Sequence, residues 1–406
     1  MHDQHFQDMA RSPGSVGDVL RLIRVSDTTS RSSIARSTGL APSTASARVD
    51  ALTSLGLVRE SGAEGSRGGR RARRLELVAD AGYVAAADLG AHHVRIVLTD
   101  LAGTVLADTD ALEHGAATVP VAAGPRASVA ALWERFVELA DDTGLDTARF
   151  RGAAIGVPAP VSYPGGSIAT PSFEPSWHGA VLPELFAEYT DAPVLVENDA
   201  NLIALAERPG PDRSGTLVAV KLGTRIGSGV LLDGRLHRGV SGAAGEISHT
   251  PVDGEAAIGC TCGVPDCLES VASGGAVVAR LRTAGRDVQS TSDVLALAAQ
   301  GDAVVLDELR RAGEHIGRVL SGIVNFCNPS EVVLAGAMSA SSVLVATIRG
   351  ELYRSCLPMI ADALDVRASR SPRDAGILGA TVLAVDEVLA PTRIDELART
   401  AAERSA

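Results

Sequence analysis

The chain is 406 residues long, more than one ordinary domain needs, and 46% of it is hydrophobic against only 3% aromatic, so a sizeable core built from Ala, Val, Leu and Ile is expected. A net charge of -12 excludes general adhesion to polyanions. No stretch reaches the ~18 uninterrupted apolar residues of a membrane span and no basic leader precedes an apolar run, so a cytoplasmic protein with no membrane contact is expected.

Charge is unevenly spread. Residues 1–80 hold 12 Arg against 9 Asp or Glu, a balance of +3 that leaves -15 for the remainder. A weakly basic head on an acidic body predicts a nucleic-acid contact confined to the N-terminus. Residues 1–14 carry no periodicity and end in Ser-Pro-Gly, which reads as a disordered lead-in. From Ser15 the pattern is helical, with Val19, Leu20 and Ile23 on one stripe. A second short helix carries Ile34 and Ala35, capped by Ser30 or Ser32 and stopped by Gly39. A third follows Pro42, with Ala45, Val49 and Leu52 inward and Ser43, Thr44, Ser46 and Arg48 outward. Helix, glycine turn, helix is the helix-turn-helix layout, and the outward residues suit a major groove. Strand residues Leu57 and Val58 then lead into SGAEGSRGGRRARRLEL, a hairpin tip with arginines at 67, 70, 71, 73 and 74. Guanidinium groups on a glycine-rich wing suit phosphate or a narrow minor groove, so residues 15–80 are expected to form a winged DNA-binding domain, with Arg67, Arg70 and Arg71 at the DNA.

Beyond residue 80 the chain turns to strands. YVAAADLG, VRIVLTD and VLAD read as a meander, followed by a helix over 126–141, the strand AAIGVPAPV at 153–161, and the strand APVLVEN leading to Asp199 at a helix start. A second hairpin, TLVAVKLG with IGSGVLLDG, opens a similar unit, in which helices at 291–299, 302–326 and 341–355 bracket the strand EVVLAG. Two α/β lobes with a cleft between them follow, at 81–200 and 201–390; the chain closes on a helix over 375–390 and a tail at 391–406.

Between the second hairpin and its helices stands HTPVDGEAAIGCTCGVPDCLE. His249, Cys260, Cys262 and Cys267 supply one nitrogen and three sulfurs, the donor set of a tetrahedral structural Zn²⁺. A Cys-x-Cys pair is too close to bridge easily and three thiols leave one over, which disfavours disulfides. Cys327 and Cys356 stand alone in apolar segments and read as core. Glu246 and Glu269 flank the ligand set, so a metal-pinned loop would present two carboxylates to a polyhydroxyl ligand.

GEISH at 245–249, CTCGVPDCLE at 260–269, VENDAN at 196–201 and GVPAPV at 156–161 together resemble the signatures of the ROK family, and its winged-helix repressors in particular. The resemblance implies an actin-like, sugar-kinase-type pair of lobes behind the winged head. By position it implies zinc on His249, Cys260, Cys262 and Cys267. It also implies sugar contacts from Asn198, Asp199, Glu246, His249 and Glu269, the histidine ligating through one ring nitrogen and offering the other to the ligand. Ser248 and Asp266 stand where the family has glycine, which bears on the loop rather than on the ligands.

In a family kinase Asp199 would be the general base. The phosphate-holding loops depart from the kinase pattern at three places: DLGAHH puts Ala91 and His92 where glycine and threonine would stand, GTRIG carries Arg225, and LAGAMS keeps only Gly336. The expectation is therefore a sugar-responsive transcriptional repressor without kinase activity, taking a sugar or sugar phosphate effector and acting on palindromic operator DNA as a homodimer or homotetramer. An ATP-dependent sugar kinase with a DNA-binding head is the alternative.

Overall fold

The computed structural model describes residues 14–26, 29–63, 73–90, 94–110, 119–169, 174–208 and 215–405, and begins with three helices and a two-stranded wing. Helix α1 (Val16–Val25) starts at Ser15, whose hydroxyl accepts from the Asp18 N–H while the Asp18 carboxylate reaches back to the cap backbone. Helix α2 (Arg31–Thr38) is capped in the same way by Ser30 and Ser33, and Gly39 ends it at φ 71°, turning the chain into α3 (Pro42–Ser54). Val19, Leu20, Ile34, Ala45, Val49 and Leu52 are all buried together, so the predicted stripes form a core, and it runs on into the body through Val385, Val388 and Ile394. Strands β1 (Val58–Ala63) and β2 (Arg73–Leu77) pair antiparallel, and the Leu75 N–H donates to Thr29 O, tying the wing to the chain between α1 and α2. The wing tip with Arg67, Arg70 and Arg71, and the lead-in up to residue 13, lie outside the described residues.

The first lobe opens with the meander β3 (Tyr83–Leu89), β4 (Val94–Asp100) and β5 (Val105–Asp108). It continues through α4 (Pro125–Asp142), β6 (Phe150–Val157), α5 (Leu182–Phe186) and β7 (Val194–Asn198) in the sheet order β5-β4-β3-β6-β7. Strand β6 stops at Val157, short of the predicted residue 161, because Pro158 and Pro160 have no N–H to extend the ladder. After α6 (Asp199–Ala206) the same plan recurs: β8 (Leu217–Leu222), β9 (Ile226–Leu232) and β10 (Arg235–Leu236), then the helices α7 (Leu268–Ala272), α8 (Gly274–Thr283), α9 (Thr291–Ala299) and α10 (Ala303–Cys327). Strand β11 (Glu331–Ala335), helices α11 (Ser342–Ser355) and α12 (Pro358–Ala361), and β12 (Asp365–Ala368) complete a sheet ordered β10-β9-β8-β11-β12. Three antiparallel strands followed by two parallel ones, twice over, is a duplicated α/β lobe.

Side-chain alternation along the strands separates the cores. Tyr83, Ala85 and Ala87 face the outer helices α4 and α5, whereas Val84 and Ala86 face inward. In the second sheet Val218 and Val220 face α7 to α11, and Leu217 and Ala219 face inward. The inward space is filled by α6 and by α13 (Ala375–Val388), which pack on each other; α6 also touches β8 and β9, and α13 lies across β3 and β6. The order of elements along the chain predicts that 375–390 belongs to the second lobe. The chain instead returns to the first, because AGILGATVLAVDEV is apolar nearly all round and so needs burial on more than one side. Residues 391–405, read as a tail, form helix α14 (Pro391–Ser405), which packs on α1 of the head. Among the described residues no single helix is long and apolar enough to cross a membrane.

The α6–α13 crossing is close. A Cβ built on Gly379 would lie 1.9 Å from Leu202 O, so any side chain there must force the two helices apart. Gly379→Val is expected to destabilise by about 3 kcal/mol or more, read as a fall in the thermal midpoint of the full chain.

Candidate functional site

Strand β7 delivers Asn198 and Asp199 to the start of α6. The Asn198 side-chain oxygen accepts from the Ala200 and Asn201 N–H groups at 2.9 and 3.3 Å, and its amide donates to Ala159 O at 3.1 Å. Most of its hydrogen-bonding capacity is thus spent on capping the helix, leaving one N–H for a ligand. Asp199 occupies the first turn of α6, where the helix dipole favours its charge, and its Oδ2 accepts from Lys221 Nζ on β8. Beneath them Glu197 is buried: its carboxylate accepts from Asn201 Nδ2 at 2.8 Å and from Arg238 Nε at 2.6 Å, and Arg238 lies 4.8 Å over the Tyr163 ring. Glu197, Arg238 and Lys221 were missed by sequence reasoning. Glu197 lay within VENDAN, and Lys221 carried a signal as the one lysine among 37 Lys and Arg residues, whereas Arg238 carried none.

The second lobe brings the other carboxylates. Glu269, on α7, is 3% exposed and its Oε2 accepts from the Ile226 N–H at 2.9 Å, which fixes its orientation. Burial raises its pKa despite that bond and the nearby Arg225 charge. Burial also raises the pKa of Glu246, and the Asp199 and Glu269 charges push it further. Asp199, Glu246 and Glu269 therefore converge as acceptors close enough to repel one another, an arrangement that hydroxyl donors would relieve.

Beside Glu246 the short turn Ile247–His249 presents the imidazole. His249 Nδ1 lies 3.6 Å from Cys260 Sγ, whereas Nε2 lies 3.8 Å from Glu246 Oε2. Cys262 and Cys267 sulfurs are 3.8 Å apart, and the four donor atoms lie within 4.8 Å of one another, which suits a single tetrahedral metal. Burial and the Arg225 charge lower the His249 pKa, keeping the ring neutral as a ligand must be. Burial lifts the Cys260 thiol to about 12; at Cys267 burial pushes upward too but is outweighed by hydrogen bonds from Ser270, so its pKa falls. All the cysteines are free. The loop is stitched by the Val252 N–H to Asp266 O and the Leu268 N–H to Thr250 O. Asp266 adopts φ 45°, the left-handed region that glycine fills without strain, and its carboxylate accepts from the Ala256 N–H at 3.1 Å. The substitution noted at this position is thereby accommodated without displacing a ligand.

Arg225 stands exposed on the β8–β9 turn, with its charge acting on His249 and Glu269. The turn is folded on itself, the Gly223 N–H donating to Arg225 O at 3.1 Å, and Gly274 and Gly275 at the start of α8 donate to Gly223 O and Thr224 O. Gly336 sits at φ 83°, where a Cβ would lie 2.5 Å from Leu222 O, so its retention has a packing reason. Ala91 and His92 lie outside the described residues.

In the head, Ser43 and Arg48 are exposed on α3, with Thr44 and Ser46 half-buried. Arg31 pairs with Asp50 and Glu60 at 2.7 and 2.9 Å and donates to Ser46 O, locking α2, α3 and the wing together. Of the wing arginines described, Arg73 pairs with Glu60 and Arg74 with Glu76. Head and body meet at Asp386 of α13. It accepts from Arg24 of α1 at 3.3 Å and from Arg208, just beyond α6, at 2.7 Å, beside a cavity of about 460 Å³ lined by Ile23, Leu75 and Val385.

Residues 84–387 match the model of the ROK family and residues 17–59 match that of a winged helix-turn-helix DNA-binding domain. The chain is 29% identical over 364 residues to the xylose repressor of Bacillus spizizenii, covering 89% of this chain and 92% of that protein. It is 31% identical over 255 residues to the glucokinase of Thermotoga maritima, covering 58% of this chain and 79% of the kinase. Among solved structures, a ROK family transcriptional regulator described as a homologue of the Escherichia coli MLC protein superposes with a TM-score of 0.78 at 25% identity, covering 94% of this chain and 98% of that one. The kinase match covers only part of this chain, whereas the two regulators match it along nearly its whole length. With the duplicated lobes, the winged head and a family match that spans most of the sequence, the chain belongs to the ROK family, in the form that carries a DNA-binding head.

Proposed function

We propose that this chain is a sugar-responsive DNA-binding repressor whose interlobe cleft binds its effector without phosphorylating it. The observation that carries this reading is the path from cleft to head: α6 begins at Asp199 in the cleft and is followed at its far end by Arg208, which grips the same Asp386 that holds Arg24 of α1. Eight residues of helix span about 12 Å. A ligand that draws on Asp199 from one lobe and on Glu246 and Glu269 from the other shifts α6 between the lobes, and that shift reaches the head as an altered seat for α1. Asn198, Asp199, Glu246, His249 and Glu269 are the proposed ligand contacts, with Ser43, Thr44, Ser46, Arg48, Arg67, Arg70 and Arg71 at DNA in the cytoplasm.

The metal in this reading is structural Zn²⁺ on His249, Cys260, Cys262 and Cys267. It fixes the loop and turns the second ring nitrogen of His249 toward Glu246. The absence of phosphoryl transfer is supported by Arg225 on the turn where backbone N–H groups would hold phosphate. A coupled ADP-release assay across common hexoses, pentoses and amino sugars is expected to show no turnover above the sugar-free rate. Robust turnover that Asp199→Asn abolishes would instead establish the kinase.

Operator recognition in this reading needs two heads, and the second lobe offers an apolar surface for a second copy. Phe326 (88% exposed), Leu357 (58%) and Met359 (79%) cluster where Asn325 accepts from the Leu357 N–H and joins the ends of α10 and α11. Phe326→Glu with Met359→Glu is expected to yield a folded monomer by light scattering, with operator affinity reduced at least tenfold by loss of the paired half-site.

A further inference from the structure

Every fixed cation of the chain except Lys221 is a guanidinium, and Lys221 stands on β8 against Asp199 of the cleft. The attraction of Asp199 raises the pKa of the ammonium, burial opposing and Asp88 adding to it, so Lys221 is charged throughout the physiological range. Its side chain keeps 34% of its exposure, against 13% for Asp199. An ammonium carries three donors and Asp199 engages one, so donors remain beside the second, accepting oxygen of the carboxylate. Side by side, donor and acceptor complement a hydroxyl, which both donates and accepts.

The surroundings disfavour anions. Asp199 and Asp88 both act on Lys221, and Asp199 in turn faces Glu246, so carboxylates outnumber the single ammonium, a surplus of negative charge in a partly desolvated cleft. A sugar carboxylate or phosphate at this point gains Lys221 but meets that surplus.

We propose that Lys221 is a specificity-determining residue of the cleft: paired with Asp199 it grips one hydroxyl of a neutral, unphosphorylated sugar and excludes acidic and phosphorylated sugars from the same position. The proposal rests on the sugar-site reading above and narrows its ligand to one charge class.

The test measures affinities of the metal-loaded full chain for D-glucose, D-xylose and N-acetyl-D-glucosamine. D-glucuronate, D-glucose 6-phosphate and N-acetyl-D-glucosamine 6-phosphate serve as their anionic counterparts. Wild-type protein is expected to bind a neutral sugar at least about tenfold more tightly than its anionic counterpart. Lys221→Met is expected to weaken that neutral sugar about tenfold or more, at unchanged metal content and helix content. Lys221→Thr, which suits a strand, is carried in parallel so that the result does not depend on one variant folding. Tighter binding of the acid or phosphate by wild-type protein would overturn the proposal, as would neutral-sugar affinities within about threefold of wild type in both variants. If wild-type protein bound none of the six, the sugar site itself would fall and the proposal with it, whereas binding that ignores Lys221 removes the proposal alone.

Discussion

Replacing Cys262 with serine, or stripping the metal with a chelator, is expected to abolish the sugar response while the winged head stays folded. The loop from Thr250 to Leu268 has little else to hold it: one short antiparallel bridge at Pro251 and Cys267 made by two cross-loop backbone bonds, the Ala257 N–H donating to Ser270 O, and the Asp266 side chain. Zinc held by one imidazole and three thiolates would contribute on the order of 10 kcal/mol to local folding, far more than those bonds together. Without it Glu246, next to His249, loses its fixed position, and the cleft loses one of the two carboxylates the second lobe supplies, Glu269 remaining held by the Ile226 N–H. The metal-free loop holds a neutral Cys260 thiol at pH 7, its pKa lifted to about 12, so metal uptake must expel a proton from it. Acid has the opposite effect. The folded-state pKa of His249 is depressed below its ordinary value, so the ring stays neutral and able to hold the metal until the pH falls through that lowered value, and its contribution is lost there. Elemental analysis should find one zinc per chain at neutral pH, and its absence from sugar-responsive protein would refute this role.

Asp386→Ala is expected to disconnect sugar from DNA. The carboxylate is shared by Arg24 and Arg208, whose side chains are only 18% and 15% exposed, so its removal leaves two guanidinium groups crowded at the seam and repelling each other. The pair spans head and body, and Gly17 of α1 adds a second tie, its N–H donating to Asp395 of α14 at 2.8 Å. The second tie keeps the head docked in the variant while the link to α6 is cut. Sugar affinity should therefore stay near wild type, since Asp386 is remote from Asp199, while the sugar-induced change in operator affinity shrinks from the 5–150-fold typical of such coupling to about threefold or less. Arg208→Ala should act alike through the other half of the pair. Unchanged coupling in both variants, measured by operator titration with and without sugar, would place the route elsewhere.

The sequence was most legible where its message is local. Four metal donors within nineteen residues, capping serines before α1 and α2, and alternating strands each declare themselves over a few positions. What distance and topology decide was not legible. Periodicity tells that α13 is apolar on most of its faces but not that it returns to the first sheet, and α14 has too few buried positions to announce its docking on α1. The ion pair of Lys221 with Asp199 joins a strand of one lobe to the helix that follows the other, and no pattern along the chain encodes it. Asp266 looked like a disturbance of the loop because its left-handed φ is a backbone property that only coordinates reveal.

One titration tests most directly whether the cleft reports a neutral sugar to DNA without phosphorylating it. Zinc-loaded protein bound to its own upstream DNA at near-physiological salt is challenged with increasing neutral sugar, with ATP present and ADP release followed in the same sample. Binding at least about a thousandfold tighter than to random DNA is expected, with a sugar-dependent change in that affinity and no ADP. Equal affinity for random DNA, or stoichiometric ADP production on adding sugar, would contradict a sugar-responsive repressor.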